Sequence, residues 1–208
     1  MKGYYPLLLH IAQAPCLVVG GGKVAERKAL SLLECGAKVR VVSPRTSLKL
    51  KEMAAVGQIE LLPRHFKSSD IKGISLVIAA TNNGLLNQKV AAAAGKKGIL
   101  TNVVDNPSLG NFIVPSVVRR GDLLIAIATS GESPALARKL REEIEAKYGE
   151  EYAQLLLLLS RWRRQLLEQG QRLSYRQWHQ AINRLLKLLR SGHKVTPEEV
   201  RSTLMGRG

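Results

Sequence analysis

Residues 16–28 read Cys-Leu-Val-Val-Gly-Gly-Gly-Lys-Val-Ala-Glu-Arg-Lys, an apolar run that meets three glycines and then a helical pattern. The stretch fits G-x-G-x-x-[G/A] at Gly20, Gly22 and Ala25. In that pattern the first glycine permits a tight turn, the second lets the backbone approach a pyrophosphate, and the small third residue allows close helix–strand packing. The stretch predicts a dinucleotide at the helix N-terminus, with a plain structural turn as the alternative. We assign the cofactor contacts here to Gly20, Gly21, Gly22, Lys23, Val24 and Ala25.

Apolar strand patterns alternate with helical patterns over the first half of the chain. The predicted strands are 16–20, 38–43, 59–62, 76–80 and 99–104, and the predicted helices are 24–35, 48–55 and 85–94. Such alternation indicates a parallel sheet with helices on both faces. The expected fold class is therefore α/β with a Rossmann-like domain.

The pattern changes after about residue 112. Two apolar segments, 112–118 and 123–129, are joined by a turn-like Arg-Arg-Gly-Asp and predict a hairpin. Helices are predicted from the Ser133-Pro134 start, over 152–169 and 174–189, and from a capping box at Thr196. We expect three parts: a nucleotide-binding domain over 1–112, a hairpin-plus-helix connector over 113–148, and a small all-helical C-terminal domain over 149–208.

Polar residues follow the predicted strands at the edge where open parallel sheets bind ligands. Ser43 stands where many dinucleotide sites carry an acidic residue, and could hydrogen-bond the ribose. Arg45 could accept a 2′-phosphate or be a solvated charge, so the choice between NAD and NADP stays open at this point. Thr81 could lie near the ribose and nicotinamide, or help to cap the helix from residue 85; both can hold.

The next strand end supplies three further candidates. We assign Asn102 and Val103 to the cofactor site. Asp105 lies at the edge of the same crevice, where a carboxylate could act as general acid or base. From spacing alone, a turn-forming Asp before Asn-Pro is the commoner reading.

A strand-to-helix junction over 129–138 predicts an anion site. Hydroxyl groups and free helix N–H groups converge there, with Arg138 and Lys139 close by and Arg138 as a candidate substrate contact. A well-capped helix without a ligand is the alternative.

The net charge of +16 is the unusual bulk property of this chain. Residues 150–208 carry +6 and residues 1–149 carry +10, so the excess is not confined to a tail. Such a field recruits an anionic partner. Two cysteines without CxxC spacing and four scattered histidines predict no metal site, and a reducing cytoplasm fits best. We expect neither an export signal nor a membrane span.

The whole pattern resembles the precorrin-2 dehydrogenase family, the module found alone or as the N-terminal part of sirohaem synthase. The resemblance runs from Tyr5 to about residue 148. It rests on residues 16–28, Ala79-Ala80-Thr81, Asn102-Val103-Val104-Asp105, residues 112–116 and residues 129–138 in this order and spacing.

This resemblance implies NAD-dependent oxidation of precorrin-2 to sirohydrochlorin. The substrate would be a tetrapyrrole with eight carboxylates, which accounts for the basic charge. The family's proposed catalytic aspartate falls on Asp105, and a serine near the tetrapyrrole pocket falls on Ser130. Family members are homodimers that use the connector region, which gives residues 113–148 a dimerisation role. Some members also insert Fe²⁺, and the sequence leaves open whether this one does.

Two other classes compete with the enzyme. The first is a regulator that senses NAD(H) and binds DNA through basic helices; the C-terminal arginines show no clear helix-turn-helix pattern, so no nucleic-acid partner is expected. The second is a nucleotide-gated subunit of an ion transporter.

Overall fold

The computed structural model describes residues 3–205 of the chain. It forms two compact units that divide between Val114 and Pro115. The first contains a five-stranded sheet, and the second contains a hairpin and four helices.

The sheet of the first unit is entirely parallel. Its strands are β1 (Pro15–Val19), β2 (Lys38–Val42), β3 (Ile59–Leu62), β4 (Leu76–Ala79) and β5 (Leu100–Val103), in the order β3-β2-β1-β4-β5. The order reverses at β1, which places the topological switch point between β1 and β4. The predicted α/β class and all five strands are confirmed, with ends that differ by one residue at most.

Helices cover both faces of this sheet, as predicted. They are α1 (Lys23–Glu34), α2 (Leu48–Ala55) and α3 (Gly84–Gly95). Alternate residues along a strand point to opposite faces. Cys16 and Val18 accordingly pack with α1 and α2, while Leu17 and Val19 pack with α3.

The helix starts follow local capping chemistry. The Ser47 hydroxyl accepts a hydrogen bond from the Leu50 N–H at the start of α2. The Asn83 side chain accepts one from the Leu86 N–H at the start of α3. Each bond satisfies an N–H group that has no partner within the helix. The cap predicted around residues 81–83 therefore belongs to Asn83.

An asparagine covers the outer edge of β5. The Asn111 Oδ1 atom accepts from the Thr101 N–H at 2.8 Å, and its Nδ2 donates to the Ile99 carbonyl at 3.2 Å. The backbone N–H of Asn111 also donates to the Thr101 carbonyl. These bonds satisfy polar groups that an edge strand would otherwise leave open.

The strand predicted from residue 112 begins four residues later. Phe112 packs against the core of the first unit, and its carbonyl accepts a hydrogen bond from the Asn102 Nδ2 at 3.1 Å. An apolar run held by such long-range contacts has the same pattern as a strand, so periodicity alone could not separate them.

The second unit begins with an antiparallel hairpin, as predicted. Its strands are β6 (Ser116–Arg120) and β7 (Leu123–Ile127). The helices α4 (Pro134–Lys147), α5 (Glu151–Glu168), α6 (Tyr175–Arg190) and α7 (Pro197–Met205) follow. Arg120 ties the hairpin to the end of α4, since its guanidinium donates to the carbonyls of Glu145 and Tyr148.

The last three helices share a small apolar core. Its buried members are Leu155, Ala181, Leu185, Val200 and Leu204. Trp162 and Trp178 pack against this core. The capping box at Thr196 is present, because Thr196 and Glu199 exchange hydrogen bonds.

No helix within residues 3–205 is both long and apolar enough to cross a membrane. The residues after Val114 group into one unit. A division of that unit near residue 148 stays a prediction.

Candidate functional site

The first two glycines after β1 are required by the chain itself. Gly20 has φ of +134°, and a Cβ atom there would lie 2.3 Å from the Ala80 carbonyl oxygen. A Cβ atom on Gly21 would lie 1.9 Å from the Arg45 carbonyl oxygen. Any side chain at either position would overlap backbone atoms that are fixed by the sheet and its loops.

Gly22 is different, because nothing among residues 3–205 requires a glycine there. Its backbone is extended, with φ of −86° and ψ of −175°, which any residue adopts. A Cβ atom on Gly22 would meet no heavy atom within 4 Å. The missing side chain therefore leaves open space in front of the turn, as expected where a ligand approaches the backbone.

The start of α1 adds a cradle of N–H groups to this open space. The first intrahelical hydrogen bond runs from the Glu26 N–H to the Gly22 carbonyl. The N–H groups of Lys23, Val24 and Ala25 precede that bond, and the helix dipole places partial positive charge there. Ala25 is fully buried against the sheet, as its assigned packing role requires. The turn thus fits the pyrophosphate of a dinucleotide in shape and in charge.

The loop after β2 is fastened to the glycine turn. The Ser43 hydroxyl donates to the Arg45 carbonyl at 2.6 Å, and the Ser47 N–H donates to the Gly21 carbonyl at 2.8 Å. Ser43 is buried, and its hydroxyl proton is used in the hydrogen bond that holds the loop. Its remaining capacity towards a ribose is that of an acceptor.

Glu26 brings to this loop the carboxylate that the end of β2 lacks. Its Oε2 atom accepts from the Ser47 hydroxyl at 2.7 Å. The sequence reasoning did not identify either residue, because the contact joins two elements twenty-one positions apart. The Ser47 capping position was the one local signal available.

Thr81 lies at the carboxyl end of β4, across the switch point from the turn. Its hydroxyl donates to the Oδ1 atom of Asn87 at 2.7 Å, and that amide also bonds the Thr81 backbone. Asn87 is only 2% exposed. It was missed in the sequence, where a polar residue inside the apolar helix pattern of 85–94 was the available signal.

The residues assigned at the end of β5 are buried. Asn102 supports the Phe112 carbonyl, and Val103 pairs with Ala79 in the sheet. Both side chains therefore serve the sheet and the segment that covers it. A ligand at this strand end can therefore contact backbone atoms and the residues after Val103.

Asp105 is exposed two residues beyond β5. The turn that follows is capped by Asn106, whose Oδ1 accepts from the Ser108 N–H. Within residues 3–205 the Asp105 carboxylate has neither a hydrogen bond nor an ion pair. The turn role considered for Asp105 thus falls to its neighbour, and this carboxylate is left free at the ligand-binding edge of the sheet.

Ser130 and Arg138 belong to the second unit. Ser130 has a φ of +53°, a left-handed conformation that is uncommon for a residue other than glycine. The adjoining loop is braced by the Thr129 hydroxyl, which bonds both the carbonyl and the N–H of Ser133. Arg138 is exposed and pairs with Glu142 at 2.9 Å. Strained backbone of this kind is often found at binding sites.

The pKa of Lys28, a half-buried residue on α1, is lowered. Burial is the main cause, and neighbouring Arg27 lowers the pKa further.

Among residues 3–205, no group of three or more His, Cys, Asp or Glu side chains could hold a metal ion.

Comparisons with known proteins agree with this geometry. Residues 7–116 match the family described as "Putative NAD(P)-binding", which spans the first unit and more than half of the chain. Residues 120–147 match "Sirohaem biosynthesis protein central". The two matches follow one another in the order of the two units.

Curated relatives and a solved structure extend the similarity. The chain is 36% identical over 205 residues to siroheme synthase 1 of Aeromonas salmonicida, covering 97% of this chain and 44% of the relative. It is 40% identical over 163 residues to siroheme synthase 1 of Serratia proteamaculans, covering 78% and 34%. The chain thus spans less than half the length of these relatives.

A solved structure described as "SirC, precorrin-2 dehydrogenase" is similar over 98% of both chains, with 27% identity and a TM-score of 0.72. This similarity includes the helices after residue 148, where the sequence pattern matched only in general character. The chain therefore belongs to the family described as "Putative NAD(P)-binding", and it is similar to siroheme synthases and to a precorrin-2 dehydrogenase.

Proposed function

We propose that this protein oxidises precorrin-2 to sirohydrochlorin with NAD⁺, a step in sirohaem biosynthesis. One observation carries the cofactor site: Gly22 lacks a side chain where the chain itself would tolerate one. The substrate proposal is supported by the similarity to a precorrin-2 dehydrogenase over 98% of both chains.

The dinucleotide would lie on the N-terminus of α1, with its pyrophosphate against Gly22, Lys23 and Val24. When bound, the nicotinamide supplies the acceptor for the hydride that the reduced macrocycle loses. The protein's contribution is to hold the two rings together and to accept the proton that leaves as conjugation extends.

Asp105 is our candidate for that proton acceptor. It is exposed at the carboxyl edge of the sheet and has no bonding partner within the described part of the chain. A free carboxylate can accept a proton from a bound substrate, and such a base typically contributes about 10²- to 10⁴-fold to the rate. Ser130 and Arg138 are proposed substrate contacts, because a hydroxyl on a left-handed loop residue and an exposed guanidinium suit a polycarboxylate.

Glu26 supports NAD⁺ over NADP⁺. Its carboxylate reaches the loop after β2, where dinucleotide folds bind the adenosine ribose, and negative charge there disfavours a 2′-phosphate. Arg45, exposed in the same loop, is the residue that would favour the phosphate instead. The two charges make opposite predictions, so both cofactors belong in the assay.

We also propose a homodimer formed through residues 113–148. In the single chain, Val118 is the one buried residue of the hairpin strands, and the other apolar side chains are half-buried or exposed. A two-stranded hairpin is marginal without a covering surface. Light scattering on the purified protein would give twice the mass of one chain if this is right.

The deciding experiment is anaerobic turnover of precorrin-2 with NAD⁺ or NADP⁺, followed by tetrapyrrole absorbance and NAD(P)H formation together. Equal amounts of sirohydrochlorin and NADH would support the proposal. Adding Fe²⁺ afterwards tests whether this protein also inserts the metal. Tight cofactor binding without turnover would contradict the enzyme assignment, and a salt-dependent DNA-binding assay would then test the sensor alternative.

A further inference from the structure

A buried amide on α3 brackets a single residue at the switch point. The Asn87 Oδ1 atom accepts from the Thr81 hydroxyl at 2.7 Å and from the Thr81 N–H at 3.3 Å. The Asn87 Nδ2 atom donates to the Thr81 carbonyl at 3.0 Å. Both backbone polar groups of Thr81 and its hydroxyl therefore bond one residue six positions away, and the hydroxyl also bonds the backbone of Asn83.

The bracketed segment is also the surface against which the glycine turn rests. The Ala80 N–H donates to the Val19 carbonyl at 2.8 Å, next to the turn. The Ala80 carbonyl oxygen and the Thr81 nitrogen would lie 2.3 Å and 3.4 Å from a Cβ atom on Gly20. The Ala80–Thr81 peptide thus forms the wall that Gly20 faces, and a displacement of this peptide would move that wall.

The amide of Asn87 has a structural role, because it supplies hydrogen-bond partners to the Thr81 backbone N–H and carbonyl. Asn87 is buried on α3, as are Val90 and Ala91 at helical spacing from it. Some loss of stability is therefore expected when the amide is replaced, as it is for Asn111 at β5. What the amide adds is a defined orientation for the Thr81 peptide, which an apolar side chain does not give.

We propose that Asn87 is a positioning residue that sets the affinity for the nicotinamide cofactor by holding the Ala80–Thr81 wall against the glycine turn. The proposal rests on cofactor binding at the Gly20 turn and is independent of the tetrapyrrole substrate. A wall that is free to move would widen the crevice opposite the N-terminus of α1. Binding would then have to order the wall first, which weakens affinity.

The test compares cofactor affinity with stability in the full chain. Asn87→Leu removes all three bonds and keeps the branching at Cγ, and we expect the NADH dissociation constant, measured by fluorescence titration, to rise roughly tenfold. Asn87→Asp keeps the Oδ acceptor and loses the amide donor, so its affinity should fall between those of wild type and Asn87→Leu. This second variant also keeps the test open if Asn87→Leu is poorly soluble.

Asn111 provides a matched control. It brackets the edge strand β5 through the same amide chemistry, with bonds to Thr101 and Ile99, and its side-chain bonds within residues 3–205 go to that strand and not to the glycine turn. Asn111→Leu should lower the unfolding temperature and leave the NADH dissociation constant within about twofold of wild type. An equal loss of NADH affinity in both Leu variants would overturn the proposal, because it would indicate general loosening.

A double-variant cycle with Thr81→Val tests whether Asn87 affects cofactor binding through Thr81. If Asn87 acts through Thr81, the double variant should bind NADH no more weakly than Asn87→Leu alone. Additive losses would show that Asn87 does not act through Thr81, and unchanged affinity in Asn87→Leu would show that it does not act on the cofactor; either result would overturn the proposal. All these readouts use NADH binding, so a protein without precorrin-2 turnover would contradict the proposed function and leave this test intact.

Discussion

Glycine stands at three consecutive positions of this chain for two different physical reasons. Gly20 and Gly21 each face a backbone carbonyl, from Ala80 and Arg45, that leaves no room for a Cβ atom. Gly22 faces open space in an ordinary backbone conformation. Substitutions at adjacent positions should therefore separate folding from binding.

We expect Gly22→Asp to fold normally and to bind NAD⁺ at least about a hundredfold more weakly, because its carboxylate would repel the pyrophosphate. Gly21→Ala should instead lower the free energy of unfolding by about 2 kcal/mol, since the added methyl overlaps a carbonyl. Calorimetric titration and urea unfolding measure the two effects. Retained cofactor affinity in Gly22→Asp would place the pyrophosphate elsewhere.

Asp105 provides a second test at this scale. Asp105→Asn should keep cofactor affinity and lower kcat for precorrin-2 by about a hundredfold or more, because the amide cannot accept the proton. Asp122→Asn, in the exposed turn between β6 and β7, is the matched control and should turn over normally. Unchanged kcat in Asp105→Asn would remove Asp105 from the mechanism.

At the scale of elements, the crossover from β3 to β4 contains an ion pair between Arg64 and Asp70. The Arg64 guanidinium donates to both Asp70 oxygens at 2.7 and 2.9 Å, and the Lys67 N–H donates to the same carboxylate. Asp70 is buried, whereas the Arg64 side chain is 37% exposed. The hydrogen bond from Arg64 is the main reason that the pKa of Asp70 is lowered, with the Lys67 N–H adding to it.

The lowered pKa of Asp70 determines the direction in which the stability of the folded state changes with pH. The ionised carboxylate stabilises the folded state above the pKa of an unfolded Asp, about 4, and this contribution is lost as the pH falls through the lower folded value. Asp70→Asn should therefore be less stable than wild type by about 1 to 2 kcal/mol at pH 7, a value reduced by the partial exposure of Arg64. The difference should shrink below about pH 4.

Urea unfolding of wild type and Asp70→Asn at a series of pH values checks this expectation. Glu142→Gln, which removes a carboxylate paired with Arg138 on the exposed face of α4, should change stability much less. A wild-type advantage that stays constant down to pH 2.5 would contradict the linkage, since Asp70 would then titrate alike in both states.

At the scale of the whole molecule, the excess of thirty-two basic over sixteen acidic residues should act on association with an anionic substrate. Raising NaCl from about 50 to about 500 mM should lower kcat/KM for precorrin-2 by roughly tenfold, because screening removes long-range attraction. The less charged dinucleotide should show a smaller change in KM. A kcat/KM independent of salt would show that the charge serves another partner or none.

The order of elements could be predicted from the sequence because its determinants are local. The apolar strands, the glycine turn after Val19 and the helix caps at Ser133 and Thr196 each act within a few residues. The predicted elements are accordingly confirmed, with small shifts at their ends. The main difference, at Phe112, arises where an apolar run is held by a distant strand.

The sequence by itself determined the α/β order and the position of the glycine-rich turn after β1. Only the tertiary structure decided why each glycine is needed, that the Ser43 hydroxyl bonds its own loop, and that Asn87 brackets Thr81. The physical reason is the distance along the sequence over which each determinant acts. A periodic pattern within one element indicates which of its faces is buried. The partner of a buried polar group is set by how separate elements pack, and no local pattern encodes that.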